Sequence, residues 1–403
     1  MARIKTIGVL TSGGDAPGMN AAIRAVTRAG ICNGYNIKGI YRGYDGLING
    51  EIEDFTTENV SGIIMSGGTI LKTARSKEFM TDEGKAKAYE QIQAQGIDAL
   101  VVIGGNGSLT GAMEFAKMYD ICCIGLPGTI DNDLYGTDHC PGYASAAKYI
   151  ATTVMEVNLD AKVYDTPMVC VIEAMGRHAG WLTAAAALAG VNGLGADLIY
   201  LPESDFDVDK FVEDVKAVCA KNGNKCIAVV SEGIHDKNGT LICESLGAQA
   251  ARDSFGHAQL GGVASILANL VKQKTGFKTR GIELSLMQRC GAHLASETDV
   301  EEAFNAGAFA VKSACEGETD KMVIFKRVID ENGNYHCENV LMPLELAANT
   351  EKKVPAEWIT NDGTYVSDEF VKYALPLIQG DAKAPLENGL PRFARLKKVY
   401  AGK

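Results

Sequence analysis

The sequence lacks most of what would place it in a membrane, on a nucleic acid or in an oxidising compartment. No apolar run approaches the roughly 20 residues that a bilayer-spanning helix needs. The opening MARIKTIGVL has none of the charged, apolar and cleavage-site regions of a signal peptide, so a cytoplasmic location is expected. Eleven cysteines are scattered without a single CxxC pair, and their odd number leaves no complete disulfide framework. Cys122, Cys123, Cys170 and Cys226 lie inside apolar runs, as reduced core residues do. The six histidines are dispersed and offer no zinc site. Positive charge is short as well: a formal net charge of −11 argues against the basic face that nucleic acid requires. If the substrates are phosphates, that global field repels them. A site must then compensate locally, with backbone dipoles, a few arginines and a metal ion.

What is present reads as a soluble enzyme. The 403 residues exceed one ordinary core, so two domains are expected, and 46% apolar with 22% charged residues is a globular balance. Short apolar runs at 5–11, 98–103, 121–126, 168–174, 197–201, 225–231 and 280–286 alternate with helical patterns such as 18–30, 108–118, 143–157 and 179–189. That alternation predicts an α/β fold with mainly parallel sheets, in two Rossmann-like three-layer domains with the active site in the cleft between them. MVIFKRVIDENGNYHCENVLM (322–342) predicts a β-hairpin, with Asn332-Gly333 as a type I′ turn. There is no low-complexity linker and no short-period repeat. The division proposed is 1–142 with about 288–320 as one domain, and 143–287 with about 321–403 as the other.

Four glycine-rich turns follow the strand-like runs: TSGGDAPGMN (11–20), SGGT (66–69), GGNGS (104–108) and LPGTIDND (126–133). At the C-terminal edge of a parallel sheet such turns aim backbone N–H groups and helix N-termini at one crevice, which suits a phosphate. Glycine turns also occur there for packing alone, so the convergence of four carries the argument. Neither the GxGxxG dinucleotide fingerprint nor GxxxxGK[ST] occurs, and the protein-kinase loop set is absent too. In TIDND, Asp131 and Asp133 lie two apart around Asn132. One division of labour has Asp131 as general base on a hydroxyl and Asp133 on Mg²⁺, directly or through water. An Asx-rich turn capping a helix would use the same residues. MGRHAGWL (175–182) puts Arg177 after a strand, where it meets a phosphate or simply solvent. Glu232 of SEGI ends another strand, suited to sugar hydroxyls or to a helix start, and Arg280 and Arg289 flank RGIELSLMQR.

Taken together and in this order, TSGGDAPGMNAAIR, SGGT followed by Arg75, the GGxGS loop, PGTIDND and MGR resemble the 6-phosphofructokinases over nearly the whole chain. Lipid and NAD kinases share only the GGxG-type loop. The resemblance implies phosphorylation of fructose 6-phosphate at its 1-hydroxyl, the committing step of glycolysis, with Asp131 as the base and Thr129 and Ile130 as its substrate-contacting neighbours. Gly13, Arg75, Ser76, Gly105, Asn106, Gly107, Ser108 and Gly128 match the phosphoryl-donor site, and Arg75 steadies charge on the transferring group. Asn106 and Asp133 match positions near the magnesium. Met175, Gly176, Arg177, Glu232 and Arg289 match the sugar-phosphate pocket. Arg280 matches an arginine that reaches into a neighbouring subunit's pocket, which implies a homodimer or homotetramer with shared sites.

The family divides by donor. Pyrophosphate users resemble one another in having Asp at the position of Gly107 and Lys at that of Gly128. With glycine at both, space is left for the α-phosphate and nucleoside, and Mg-ATP is the expected donor. MGRHAGWL, IELSLMQRCGAHLAS, the hairpin and GLPRFARL look instead like the pyrophosphate-using and mixed lineage, so a reversible pyrophosphate-dependent enzyme is the alternative. A non-catalytic sugar-phosphate or nucleotide sensor is the second. Leu286 and Met168 replace a histidine and an arginine of the short ATP enzymes. Arg24 and Arg28 match an effector site in which Thr57 replaces a further arginine, so strong allosteric control is not expected.

Overall fold

In the computed structural model, which describes residues 4–163, 165–246, 261–347 and 350–393, the apolar runs become strands, buried along most of their length except at the 280–286 run, whose strand lies at a sheet edge. Thr6–Ser12 (β1), Ala99–Gly104 (β4) and Cys122–Pro127 (β5) are the central strands of one sheet. Asn36–Ile40 (β2) and Ile52–Phe55 (β3) extend it on one side. Met168–Ala174 (β6), Leu198–Tyr200 (β7), Lys225–Ser231 (β8) and Lys278–Glu283 (β9) make a second. Lys321–Ile329 (β10) and Tyr335–Pro343 (β11) form the hairpin. The strand orders are β11-β10-β5-β4-β1-β2-β3 and β7-β8-β6-β9. Within these two sheets the pairings are parallel except β2 with β3 and β10 with β11. Strands buried on both faces read as continuous apolar runs, which is why β4 (ALVVIG) and β6 (MVCVIEA) stand out in the sequence.

Three expectations need correction. Residues 321–403 were grouped with the second domain, but β10 pairs with β5 through Lys321–Ile124 and Met322–Gly125, so the hairpin belongs to the first sheet. Its turn is not type I′ either. Ile329 pairs with Tyr335, leaving five residues between the strands. Gly333 alone takes a positive φ, of 82°, while the Asp330 carboxylate accepts from the Asn332 and Asn334 amides at 2.9 and 2.8 Å. The run expected as a strand over 280–286 stops at Glu283, where Ser285 turns with φ 42° into the helical turn Met287–Cys290. Of GLPRFARL, the part from residue 394 lies outside the described residues.

The helices that matter for the site are Met19–Cys32 (α1), Gly43–Asn49 (α2), Asp82–Ala94 (α3), Asn106–Tyr119 (α4) and Tyr143–Lys162 (α5). Alanines on α1 face those of the Glu297–Cys315 helix. The two backbones run so close that a Cβ on Gly307 would lie 2.6 Å from the Ala22 carbonyl oxygen. Asp299 on that helix also starts α5: its carboxylate accepts from the Gly142 and Ser145 amides at 2.8 and 3.1 Å, satisfying donors that a helix start leaves over. No helix among the described residues is long and apolar enough to cross a membrane.

Between the first sheet, its hairpin and the C-terminal segment runs a largely buried ionic chain centred on His139, which is completely buried. Arg327 makes a two-pronged contact with Asp138 at 3.0 Å. Asp138 meets His139 Nδ1 at 2.8 Å, His139 Nε2 meets Glu302 at 2.6 Å, and Tyr335 donates its hydroxyl to Glu302 at 2.6 Å. Burial alone would push the His139 pKa down, but the two carboxylates outweigh it and raise it. A raised histidine pKa contributes stability that is present in full below about pH 6.5 and lost as pH rises through the folded-state value. Thermal midpoints should therefore fall between pH 6 and pH 9, and His139→Ala should cost about 3–5 kcal/mol and remove that slope. Wild-type midpoints equal at the two pH values would refute this.

Candidate active site

At the C-terminal end of β1 the chain turns through Gly13 with φ 89°, where a Cβ would sit 3.2 Å from the Ser108 hydroxyl. The SGGT loop beside it is fixed by buried Asn20. That side chain donates to the Ser66 and Gly68 carbonyls at 3.1 and 2.6 Å and accepts from the Ile70 amide at 2.9 Å. Arg75 and Ser76 follow on the same strand-free segment and line the cleft. At the end of β4, Gly105 caps α4 without any side-chain hydrogen bond. The positive end of that helix, at Asn106, Gly107 and Ser108, opens on the same cleft. Beyond β5, Gly128 donates its amide to Gly104 at 3.0 Å and delivers Thr129, Ile130 and Asp131.

The TIDND loop is tightly held. The Asp131 amide donates to the Thr129 hydroxyl at 3.2 Å. Asn132 adopts φ 57° and is completely buried, while Asp131 and Asp133 on either side of it in sequence both line the cleft. Desolvation, reinforced by the charges of Asp133 and Glu232 and opposed by Arg289, raises the Asp131 pKa to about 7. Such a carboxylate is a far better proton acceptor at neutral pH than an ordinary aspartate. Burial raises Asp133 as well, against the nearby charges of Lys352 and His178.

The second sheet supplies the other wall. Gly176, at φ 126°, makes a turn that no side chain would fit, since a Cβ there would lie 2.6 Å from the Ala179 oxygen. Its amide donates to Glu232 at 3.2 Å, and burial raises the Glu232 pKa against that bond and the Arg177 charge. Met175 and Arg289 line the cleft, and Gln288 accepts from the Met175 amide at 3.2 Å. Gly176, Arg177 and Glu232 are next to this lining without being part of it. Arg280 is not brought to the cleft: it is exposed in the middle of the edge strand β9, opposite Cys170, and its guanidinium donates to the Thr279 carbonyl at 3.3 Å. Met168 is buried at the start of β6, only 3% exposed, while Leu286 is 54% exposed just past β9.

A family model described as phosphofructokinase matches residues 6–314. The chain belongs to the phosphofructokinase family. It is 42% identical to the ATP-dependent 6-phosphofructokinase 2 of Bacteroides thetaiotaomicron, over 89% of this chain and 98% of that one. It is 37% identical to the pyrophosphate–fructose 6-phosphate 1-phosphotransferase of Xanthomonas campestris, over 97% and 96%. Among solved structures, the pyrophosphate-dependent phosphofructokinase of Marinobacter aquaeolei superposes with a TM-score of 0.85 at 31% identity, covering 99% of this chain and 98% of that one.

The phosphofructokinase cleft is larger than its phosphate loops. It encloses about 600 Å³ and continues past α4 to Tyr44 on α2, Phe79, Lys85 on α3 and Glu114. Tyr44 and Phe79 stack with centroids 3.9 Å apart, and Lys85 pairs with Glu114 at 2.7 Å. None of these belongs to a motif; they are single residues whose meeting depends on the packing of three helices. Asp15 also lines the cleft, facing Arg289, from within the TSGGDAPGMN stretch. Asp133 and Asn106 offer oxygen ligands to the cleft, a donor set that suits a hard divalent cation.

The glycines differ in what they tolerate. A Cβ on Gly107 meets no atom within 4 Å, whereas one on Gly176 is strained and obstructed. Gly107→Ala should be neutral or stabilising by up to about 1 kcal/mol in its helix. Gly176→Ala should destabilise by about 1–3 kcal/mol. Chemical denaturation checks both; similar losses from the two would contradict the backbone assignment.

Proposed function

We propose that this phosphofructokinase transfers the γ-phosphoryl group of Mg-ATP to the 1-hydroxyl of fructose 6-phosphate. The observation that carries the choice of donor is the open space beside Gly107, continuous with the pocket walled by Tyr44, Phe79, Lys85 and Glu114. Pyrophosphate would leave that length of cleft unused, and an aspartate at Gly107 would project into it. Gly128 supports the same donor for a different reason than charge. Its Cβ direction runs into Ile103 at 3.0 Å and Met19 at 3.4 Å, so a lysine there would first have to displace the floor of the site.

Phosphoryl transfer is governed by positioning and charge stabilisation. In this reading Asp131 accepts the proton of the 1-hydroxyl. Arg75 balances charge on the transferring group, and the amides at Gly13 and at 105–108 hold donor phosphates. Thr129, Ile130, Met175 and Gly176 frame the sugar, Glu232 accepts from its hydroxyls, and Arg177 and Arg289 meet its phosphate. Asp133 with Asn106 would hold magnesium, which supplies charge neutralisation on the donor phosphates when bound. Arg280 serves a second copy's cleft in a homodimer or homotetramer; its exposed place on edge strand β9, away from its own cleft, supports that reading.

A coupled assay for fructose 1,6-bisphosphate with each donor tests this directly. ATP should support turnover and pyrophosphate should not; the converse would establish the pyrophosphate-dependent reading, and no turnover with either would favour a sensor. Asp131→Ala should lower kcat by roughly 10²–10⁴-fold with little change in KM. Turnover within tenfold of wild type would reject Asp131 as the base. Gly107→Asp should weaken ATP use selectively, and Asp133→Ala should be more damaging than Asn106→Ala.

A further inference from the structure

Residues 315–393 follow the span matched by the family model, yet part of them surrounds the TIDND loop. Lys352 donates its main-chain amide to the Asp133 carbonyl at 2.6 Å. Its ammonium donates to the Asp138 and Thr137 carbonyls at 2.7 and 3.1 Å and reaches Asn132 Oδ1 at 3.5 Å. The same ammonium lies 4.9 Å from the centre of the Trp181 ring, and the Lys352 carbonyl accepts from the Trp181 indole at 2.8 Å. Tyr373 approaches from the far side. Its hydroxyl accepts from Asn132 Nδ2 at 2.9 Å and donates to the Asp138 carbonyl at 2.7 Å. Asn132, held at φ 57°, completes the loop by accepting from the Cys140 amide at 2.9 Å.

We infer that Lys352 and Tyr373 are positioning residues for phosphoryl transfer, clamping the Asn132–Asp138 backbone so that Asp131 is presented to the acceptor hydroxyl. A buried ammonium directed at main-chain carbonyls costs desolvation that a merely structural contact would not need, because a leucine would fill the same space. Here its hydrogen bonds fasten one short stretch of backbone that carries Asp133 and begins directly after Asp131. Both side chains are directed at the loop itself: their hydrogen bonds go to Thr137, Asp138 and Asn132. The phenol is the second fastening, sharing the Asp138 carbonyl with the ammonium while gripping the one residue whose left-handed backbone separates the two aspartates.

This inference rests on Asp131 as the general base. Lys352→Met and Tyr373→Phe keep the apolar volume and remove the bonds; each should lower kcat by roughly 5- to 100-fold while KM for fructose 6-phosphate stays within about threefold. Hydrogen exchange at the Cys140 and Lys352 amides should accelerate in both, and Lys352→Arg should recover part of the lost kcat. If Lys352→Met folds poorly, Tyr373→Phe still decides, because it preserves the ring among Trp181, Trp358 and Phe370. Wild-type kcat in folded Tyr373→Phe, or a loss confined to thermal stability in both variants, would overturn the inference. Asp131→Ala measured alongside separates the two failures. An inactive Asp131→Ala with unaffected Lys352 and Tyr373 variants refutes the positioning role alone, and an active Asp131→Ala refutes the base on which it rests.

Discussion

Gathering carboxylates in a poorly solvated cleft is the constraint on which the rest of this structure depends. Asp131, Asp133 and Glu232 are each raised by burial, and Asp131 additionally by the charges of Asp133, Glu232 and Glu351. Left alone, such a group would open the cleft to water or protonate outright. The chain counters with positive charge and dipoles from every part of the fold: Arg289 facing Asp131, the Gly176 amide and Arg177 on Glu232, and Lys352 near Asp133. Because those partners come from the second sheet and the C-terminal segment while the aspartates follow the first sheet, the site exists only where the two sheets face each other. A formal net charge of −11 sharpens the requirement, since the compensation has to be local.

The same demand explains the backbone. Left-handed conformations at Gly13, Asn132 and Gly176 are unfavourable or sterically restricted in isolation, and each is fixed by a tertiary partner. Gly13 turns against Ser108, Gly176 is bonded on both sides by Glu232 and Ser231, and the Asn132 side chain bonds Cys140 and Tyr373 and is reached by Lys352. The uncapped start of α4 belongs to this set. A side-chain acceptor at position 105 would satisfy the helix end that glycine leaves open toward the cleft.

The parts of the site visible in the sequence are those that lie within a few residues of one another at strand ends. TSGGDAPG, GGNGS, TIDND and MGR each carry their own turn chemistry, so their glycines and aspartates announce themselves. The far wall of the cleft does not, because Tyr44, Phe79, Lys85 and Glu114 are single residues on separate elements, and only helix packing assembles them. The hairpin shows the same limit from the side of the fold. Its alternation and Asn-Gly pair were readable, but its attachment to the first sheet depends on two residue pairs between β10 and β5, and its turn follows Asp330 instead of the Asn-Gly dipeptide. The ionic chain through His139 was invisible for a related reason: its five members come from four distant stretches, and a lone histidine in sequence carries no sign of the carboxylates on either side.

Donor choice illustrates why overall likeness and local geometry have to be weighed separately. Relatives named for ATP and for pyrophosphate match this chain at 42% and 37% identity across most of its length, a difference too small to discriminate between two donors. What separates the donors physically is the room beyond the transferred phosphate, and that room is bounded by very few atoms. At Gly107 the direction a side chain would take is empty, so one substitution there changes the available volume with almost no cost to the fold. At Gly128 the same direction is occupied by Ile103 and Met19, so a lysine requires repacking beneath it. The two glycines are therefore not equivalent signals. A side chain at position 107 would enter the cleft in a single step, whereas a lysine at 128 demands coordinated changes around Ile103 and Met19, so under the proposed function Gly107 is the more easily changed of the two.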